Sequence, residues 1–141
     1  MSQYFDVGER TLWNPSNGPG TLYVRTVAAL EPLAGVPSGI GVGRWGPGDP
    51  DSHGIDLPVF TEFVNALVRC YRDGNHRILR ALVESPLAVS IVLVQRAGGA
   101  VEALAEPPGV ADRDIRTGPA AAAPPDRLAE LVAQFSVEMA W

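Results

Sequence analysis

Residues 56–73 read DLPVFTEFVNALVRCYRD, and this segment has the clearest helical periodicity in the chain. Its apolar residues fall on one arc of a helical wheel, and its polar residues face away from that arc. We expect Asp56 to cap the helix, because a carboxylate there accepts a hydrogen bond from the unpaired amides of the first turn. Pro58 is tolerated in that turn, which needs no amide donor. The predicted core face consists of Leu57, Phe60, Phe63, Val64, Leu67, Val68 and Tyr71.

A second helical segment is predicted after the break at 74–75. Residues 87–94 are apolar on every side and rich in β-branched side chains, so periodicity alone allows either a buried strand or a central helix. We predict a helix, because the segment continues the preceding pattern and two glycines at 98–99 follow it. Pro86 is expected to kink this helix. The residues predicted to face inward before the kink are Ile78, Leu79, Leu82 and Val83.

The N-terminal third predicts a short hairpin and one helix. Residues 4–7 and 10–13 flank a turn at Gly8, a pattern typical of paired strands. A helical stripe follows and is expected to end at Gly35. Residues 35–55 contain seven glycines and little periodicity, so they predict a long loop. The helical stripe consists of Leu22, Tyr23, Val27, Leu30 and Leu33.

The C-terminal part predicts a tethered helix. Residues 105–125 are rich in proline and alanine, which is typical of a linker. Residues 126–141 form an amphipathic pattern, and a helix this short needs burial of its apolar stripe to stay helical. The stripe could pack on its own chain, on a second copy or on a partner. It consists of Leu128, Leu131, Val132, Phe135 and Met139.

These segments together predict a mainly α fold. Residues 1–104 would form a core domain, a small bundle of three to four helices with a short extended N-terminal segment. Residues 105–125 would be the linker, and residues 126–141 the tethered amphipathic helix.

Composition restricts the partners and the compartment. The formal net charge is -5, which repels phosphate and argues against nucleic acid or an anionic membrane as a partner; a basic or amphipathic protein, or a second copy, fits better. Cys70 is the single cysteine, so no intramolecular disulfide can form, and the first residues lack a signal-peptide pattern. We therefore expect a cytoplasmic protein. The apolar run 86–94 is shorter than the roughly 18 residues that span a bilayer.

Three motif-like patterns do not support a catalytic, cofactor or metal site. The glycines at 41, 43 and 46 match a dinucleotide fingerprint, but no helix can open at the following Pro47. Residues 49–54 resemble the start of a calcium loop, yet Phe60 stands where the bidentate glutamate belongs. Cys70 and His76 lack an evident orienting acid. We accordingly predict no metal, no cofactor and no catalytic residues.

Ligand-binding candidates come from two patterns. Aromatic residues beside amides at helix entrances could line a pocket, although such a Trp more often anchors a loop to the core. Basic residues between 69 and 80 would share one face if the helix ran on through 74–75, and could bind a carboxylate, although such a stripe is usually a solvated surface. The candidates are Trp13, Asn14, Asn17, Trp45, Arg69, Arg72, His76 and Arg80.

Three segments carry a family resemblance. Residues 11–18 read TLWNPSNG, residues 36–41 read VPSGIG, and residues 55–67 contain Ile55-Asp56 ahead of Phe60 and FVNAL. They resemble a family of small actinobacterial proteins of unknown function, over about the first 100 residues. No activity is assigned to that family, so the resemblance implies no functional residues.

Two classes of function are consistent with this sequence. The first is a non-catalytic cytoplasmic interaction or accessory protein, of the immunity or antitoxin kind, because the chain is small and acidic and shows no catalytic constellation. The alternative is a small enzyme or small-molecule-binding protein that uses the 35–56 loop together with Trp13 and Asn14.

Overall fold

A computed structural model describes residues 1–74, 76–107 and 126–141 of the protein. Over these residues a four-stranded sheet packs against helices that share one apolar core. The strands are β1 (Tyr4–Val7), β2 (Arg10–Trp13), β3 (Ile40–Val42) and β4 (Ser52–Ile55). The helices are α1 (Asn17–Ala34), α2 (Leu57–Asp73), α3 (Arg77–Arg96) and α4 (Asp126–Glu138), with a short 3-10 helix at Glu102–Leu104.

The mainly α prediction is wrong, because the segment predicted as a long loop contributes two strands to a mixed sheet. The strand order is β2-β1-β4-β3; β1 pairs antiparallel with β2 and parallel with β4, and β3 pairs antiparallel with β4. Both β3 and β4 are short and contain a glycine, a residue depleted in strands, which weakens their strand signal in the sequence. The β1–β2 hairpin is confirmed.

The helix at 57–73 forms as predicted. The Asp56 side chain accepts a hydrogen bond from the Val59 amide at 3.3 Å and caps α2. Six of the seven residues predicted for the core face are buried, and Leu57 is partly buried. Residues 87–94 are helical within α3, which runs through Pro86.

The inward face was predicted wrongly at four positions. Ile78 and Leu82 are 69% and 68% exposed, Leu22 is 68% exposed, and Leu79 is 38% exposed. Only the later part of α3, from Val83 onward, is enclosed by its neighbours. A repeat of apolar residues therefore predicts correctly that a segment is helical. It does not predict which turns of that helix have packing partners.

The helix α3 is the centre of the core. It packs against α1, α2, α4 and β2. The Tyr23 hydroxyl lies 2.7 Å from the Ser90 hydroxyl, and burial raises the pKa of Tyr23. By length and composition alone α3 could also cross a membrane, although nine of its residues are buried inside this fold.

The helix α4 covers its apolar stripe on the same chain. Leu128, Leu131 and Met139 are buried and belong to the common core, and Val132 and Phe135 pack against that core. The predicted linker lies outside the described residues except for 105–107.

Arg96 joins the last helix to the sheet. Its guanidinium donates hydrogen bonds to the backbone oxygens of Leu12 at 2.7 Å, Met139 at 2.8 Å and Ser136 at 3.1 Å. Trp141 covers the guanidinium plane at 4.1 Å. Leu12 is the extra residue of a bulge, because Trp13 pairs with Phe5 whereas Thr11 pairs with Asp6. Arg96 therefore fixes both the bulge in β2 and the end of α4.

We predict that Phe63→Ala lowers the free energy of unfolding by about 3–5 kcal/mol, because Phe63 is fully buried and its loss leaves a cavity. The neighbouring Glu62 is exposed, and Glu62→Ala should change this free energy by less than about 1 kcal/mol. Urea denaturation of both variants measures the difference. Equal midpoints would mean that the buried face of α2 is assigned wrongly.

We also predict that Arg96→Lys destabilises the protein by about 1–3 kcal/mol, because one ammonium cannot reproduce the forked contacts of a guanidinium with three carbonyls. Arg77→Lys, at the exposed start of α3, is the matched control and should have little effect. Thermal denaturation distinguishes them. If both variants melt with the wild type, Arg96 does not hold α4.

Candidate functional site

A row of paired residues crosses the open face of the sheet. Thr11 pairs with Asp6, Asp6 pairs with Gly54, and Gly54 pairs with Gly41, so the row runs from β2 to β3. On the other face of β1, Phe5 stacks against Trp13 with ring centroids 5.1 Å apart and forms part of the core. Because strand side chains alternate between faces, Asp6 points away from the core.

Asp6, Gly54 and Gly41 of this row line a groove of about 530 Å³, which we call the sheet groove. Two of its walls are the segment around β3 and the β1–β2 turn. Five of its eleven lining residues are glycine, three carry a carboxylate and one carries a guanidinium. The groove is lined by Asp6, Gly8, Glu9, Gly39, Gly41, Val42, Gly43, Arg44, Gly54, Ile55 and Asp56.

Glycine is required by packing at some positions of the groove and not at others. A Cβ atom on Gly54 would collide with the backbone oxygen of Val42, and one on Gly43 would collide with Ser52. At these two positions the close approach of β3 and β4 requires glycine. A Cβ on Gly41 would meet nothing within 4 Å, so its missing side chain leaves the groove open without being needed for packing.

Asp6 is a buried carboxylate at the base of the sheet groove, with 1% of its side chain exposed. Its Oδ1 accepts a hydrogen bond of 2.7 Å from the Thr11 hydroxyl. Its Oδ2 lies 3.3 Å from Arg44 Nε, but within the described residues it receives no hydrogen bond. Oδ1 therefore has a hydrogen bond, whereas Oδ2 has only an ion contact.

Arg44 has an acceptor near each of its three side-chain nitrogens. It donates to the Glu9 backbone oxygen at 2.7 Å and to the Thr11 hydroxyl at 3.2 Å, and it contacts Asp6 through Nε. Its guanidinium lies 4.3 Å from the ring centre of Trp45. Arg44 thus bridges from the end of β3 to the β1–β2 turn.

Trp45, one of the predicted ligand-binding residues, stands beside the sheet groove. It is 51% exposed, yet Arg44 covers one side of the ring and Tyr4 meets it edge-on at 4.9 Å. An exposed aromatic ring that is held in one position can bind a partner with little loss of side-chain entropy.

Trp13, Asn14 and Asn17 are not in the sheet groove. Trp13 is buried among Phe5 and Tyr23 and, with Asn14, it lines a hollow of about 350 Å³ against the end of α4. The backbone N–H of Asn14 donates a hydrogen bond to the backbone oxygen of Ala140 at 3.0 Å. The side-chain oxygens of both asparagines are buried, and no described residue donates to them. Trp13 and Asn14 therefore do not share a site with the 35–56 segment: they lie beside the end of α4, whereas that segment lines the sheet groove.

The basic residues from 69 to 80 are also divided, because α2 ends at Asp73. Arg69 forms a forked ion pair with Glu106, with distances of 2.8 and 3.0 Å. Arg72 donates to the backbone oxygens of Ala103 and Leu104. These two arginines fasten the 3-10 helix to α2.

His76 and Arg80 lie near Cys70 around a hollow of about 10 Å³, which has room for a single water molecule. The His76 ring accepts the Leu79 amide at 3.2 Å and so caps α3. Burial raises the pKa of the Cys70 thiol, which points to the Leu33 oxygen at 3.5 Å. A protonated thiol and a capping imidazole are poorly arranged for nucleophilic chemistry.

The calcium-like segment has structural contacts of its own. Asp49 accepts the Asp51 amide at 2.9 Å, and His53 Nε2 lies 3.1 Å from the Gln3 side-chain oxygen. Burial lowers the pKa of His53 despite the neighbouring aspartates. Over residues 1–74, 76–107 and 126–141, no three potential metal ligands cluster.

The sequence contains a signal for the sheet groove that the sequence analysis missed. Residues 39–43 read GIGVG, so glycine alternates with an apolar residue at the two-residue period of a strand. This segment was considered only as a nucleotide-binding fingerprint and as a loop. Asp6 carried no sequence signal, because a single aspartate in a hairpin is unremarkable until its neighbours across the sheet are known.

A family of unknown function, DUF6086, matches residues 1–141. The chain belongs to this family. The predicted membership in an uncharacterised family is confirmed, and the match includes the last helix as well as the first 100 residues. Comparisons with curated proteins and with solved structures give no match.

We predict that Gly54→Ala destabilises the protein by about 1–3 kcal/mol, because the new methyl group would overlap the Val42 backbone. Gly41→Ala should stay within about 0.5 kcal/mol of the wild type, since its methyl group would enter open space. Chemical denaturation of both variants tests the groove's geometry. Equal destabilisation by the two substitutions would contradict the described approach of β3 to β4.

Proposed function

We propose that this protein is a non-catalytic cytoplasmic binding protein that recognises a protein partner through the sheet groove and Trp45. The observation that supports this proposal best is the exposed Trp45 ring, held between Arg44 and Tyr4 beside a groove with a buried carboxylate. Tryptophan is enriched among the residues that contribute most to binding energy at protein interfaces.

The exposed apolar surface beside the groove supports the same proposal. Val42 is also exposed and lines the groove, so an apolar side chain and an aromatic residue lie near a polar floor. Protein interfaces are enriched in aromatic residues and have an apolar centre surrounded by a polar rim.

The charge of the groove supports a basic partner. Among the described residues, Asp6, Glu9 and Asp56 line it on the acidic side and Arg44 alone on the basic side, and Arg44 already has acceptors within the chain. The whole chain carries a net charge of -5, which would attract a basic surface at long range. Small acidic proteins that neutralise a basic target, of the immunity or antitoxin kind, fit this description.

The groove's size supports a second candidate, a small-molecule ligand. Its volume of about 530 Å³ lies within the roughly 300–1,000 Å³ typical of small-molecule sites. A metabolite bound to the protein in native mass spectrometry would favour this candidate over a protein partner.

We predict that Trp45→Ala abolishes capture of the partner from a lysate of the source organism, because it removes the fixed aromatic anchor. Leu82→Ala is the matched control, since Leu82 is an exposed apolar residue on α3 that does not line the sheet groove. Quantitative affinity capture with the wild type and both variants measures the effect. A partner that the wild type and Trp45→Ala retain equally would contradict the proposal.

A further inference from the structure

We propose that Asp6 recognises a primary ammonium group, the lysine side chain of a protein partner, which takes the place of Arg44 at Asp6 Oδ2. This inference rests on the proposed function of the sheet groove. It adds the chemistry of the group that the groove binds.

The unused binding capacity in the groove belongs to an acceptor. Asp6 Oδ1 has a hydrogen bond from Thr11, but Oδ2 has only the 3.3 Å ion contact, without hydrogen-bond geometry. An ionised carboxylate can accept about four hydrogen bonds. Arg44 has acceptors near all three nitrogens, and its side chain is 30% exposed, so water can reach its remaining N–H groups, whereas Asp6 is only 1% exposed. A ligand that supplies a donor therefore gains more here than one that supplies an acceptor.

The available acceptor favours ammonium over guanidinium. A guanidinium binds a carboxylate best through two parallel hydrogen bonds, which need both oxygens. Thr11 already uses one lone pair of Oδ1, and the guanidinium present, Arg44, contacts Oδ2 without forming this pair. An ammonium is a compact point charge and can bind a single oxygen well.

The row through Asp6 provides the path. Gly54 and Gly41 are the next two residues towards the sheet edge, and neither contributes a side chain between β3 and the carboxylate. The Val42 backbone oxygen stands where a Cβ of Gly54 would be, but the space beside Gly41 is open, and a narrow alkyl chain that ends in an ammonium would enter there. Two further carboxylates among the lining residues add an attractive field in the groove.

The chain has no lysine of its own to fill this position. All 11 of its basic residues are arginine. Its N-terminal amine is the exception, and Met1 is exposed. A lysine at Asp6 must therefore come from another molecule, and Arg44 holds the position until that molecule binds.

The test is a titration of the full chain with n-butylamine, followed by amide chemical shifts. Butylguanidine and 1-butanol are the comparison ligands, and the peptide acetyl-Gly-Lys-Gly-amide tests the source of the ammonium. Asp6→Asn removes the charge but keeps an oxygen for Thr11. Gly41→Val obstructs the path, and Gly48→Val is its matched control, because a Cβ at either glycine meets nothing within 4 Å. Arg44→Met removes the competing cation.

We expect butylamine to shift the signals of residues 6, 41 and 54 and to bind more tightly than butylguanidine or butanol. Affinity should fall about tenfold or more in Asp6→Asn and in Gly41→Val, remain unchanged in Gly48→Val, and rise several-fold in Arg44→Met. The lysine peptide should bind more tightly than butylamine. If Asp6→Asn does not fold, the Gly41→Val and Gly48→Val pair carries the test.

Equal affinity of butylamine and butanol, or unchanged affinity in Gly41→Val, would overturn this inference. Weaker binding by Arg44→Met would overturn the displacement of Arg44, and equal affinity of butylamine and the peptide would overturn the assignment to a lysine of a protein. If Trp45→Ala fails to capture the partner but butylamine does not bind, the proposed function stands. Only the inference that Asp6 recognises an ammonium group is then rejected.

Discussion

The contact on which the other parts of the fold depend is the one between Arg96 and three backbone carbonyls. This guanidinium donates to β2 at Leu12 and to the end of α4 at Ser136 and Met139, so sheet, central helix and last helix are held together. Burial lowers the pKa of Arg96 from a value so high that the side chain stays charged at neutral pH. The bulge at Leu12 also brings Thr11 opposite Asp6, and that pairing places a donor beside the carboxylate of the sheet groove. The core contact and the candidate site therefore share one irregularity in β2.

Much of the helical part could be predicted from local chemistry. The Asp56 cap and the core face of α2 follow from the 3.6-residue period, and both are present. The sheet could not be predicted in the same way. Its two added strands, β3 and β4, owe their place to pairing with β1 and with each other over a long sequence separation. Ile78 and Leu82 show a second limit, because periodicity indicates which face of a helix is apolar but not where its packing partners end.

The candidate site illustrates why function was harder to predict than the helices. Trp45 could be predicted as a binding residue because it is aromatic. Asp6 and Gly41 could not, because the role of each depends on its neighbours across the sheet. The predicted arginines have structural roles instead: Arg69 and Arg72 hold the 3-10 helix against α2. The pair of Asp6 and Arg44 differs from those ion pairs and caps. Its contacts leave Asp6 Oδ2 without a hydrogen bond in an open groove. Only the strand register makes this asymmetry visible.

We propose that the protein binds its partner on the open face of the sheet and not through the helices. Hydrogen–deuterium exchange of the full chain, alone and with the captured partner, distinguishes the two surfaces. We expect slower exchange at residues 39–46 and 54–56, with little change in α4. Slower exchange in α4 and around Trp13 and Asn14, with residues 39–46 unchanged, would contradict it and move the binding surface to the hollow beside the last helix.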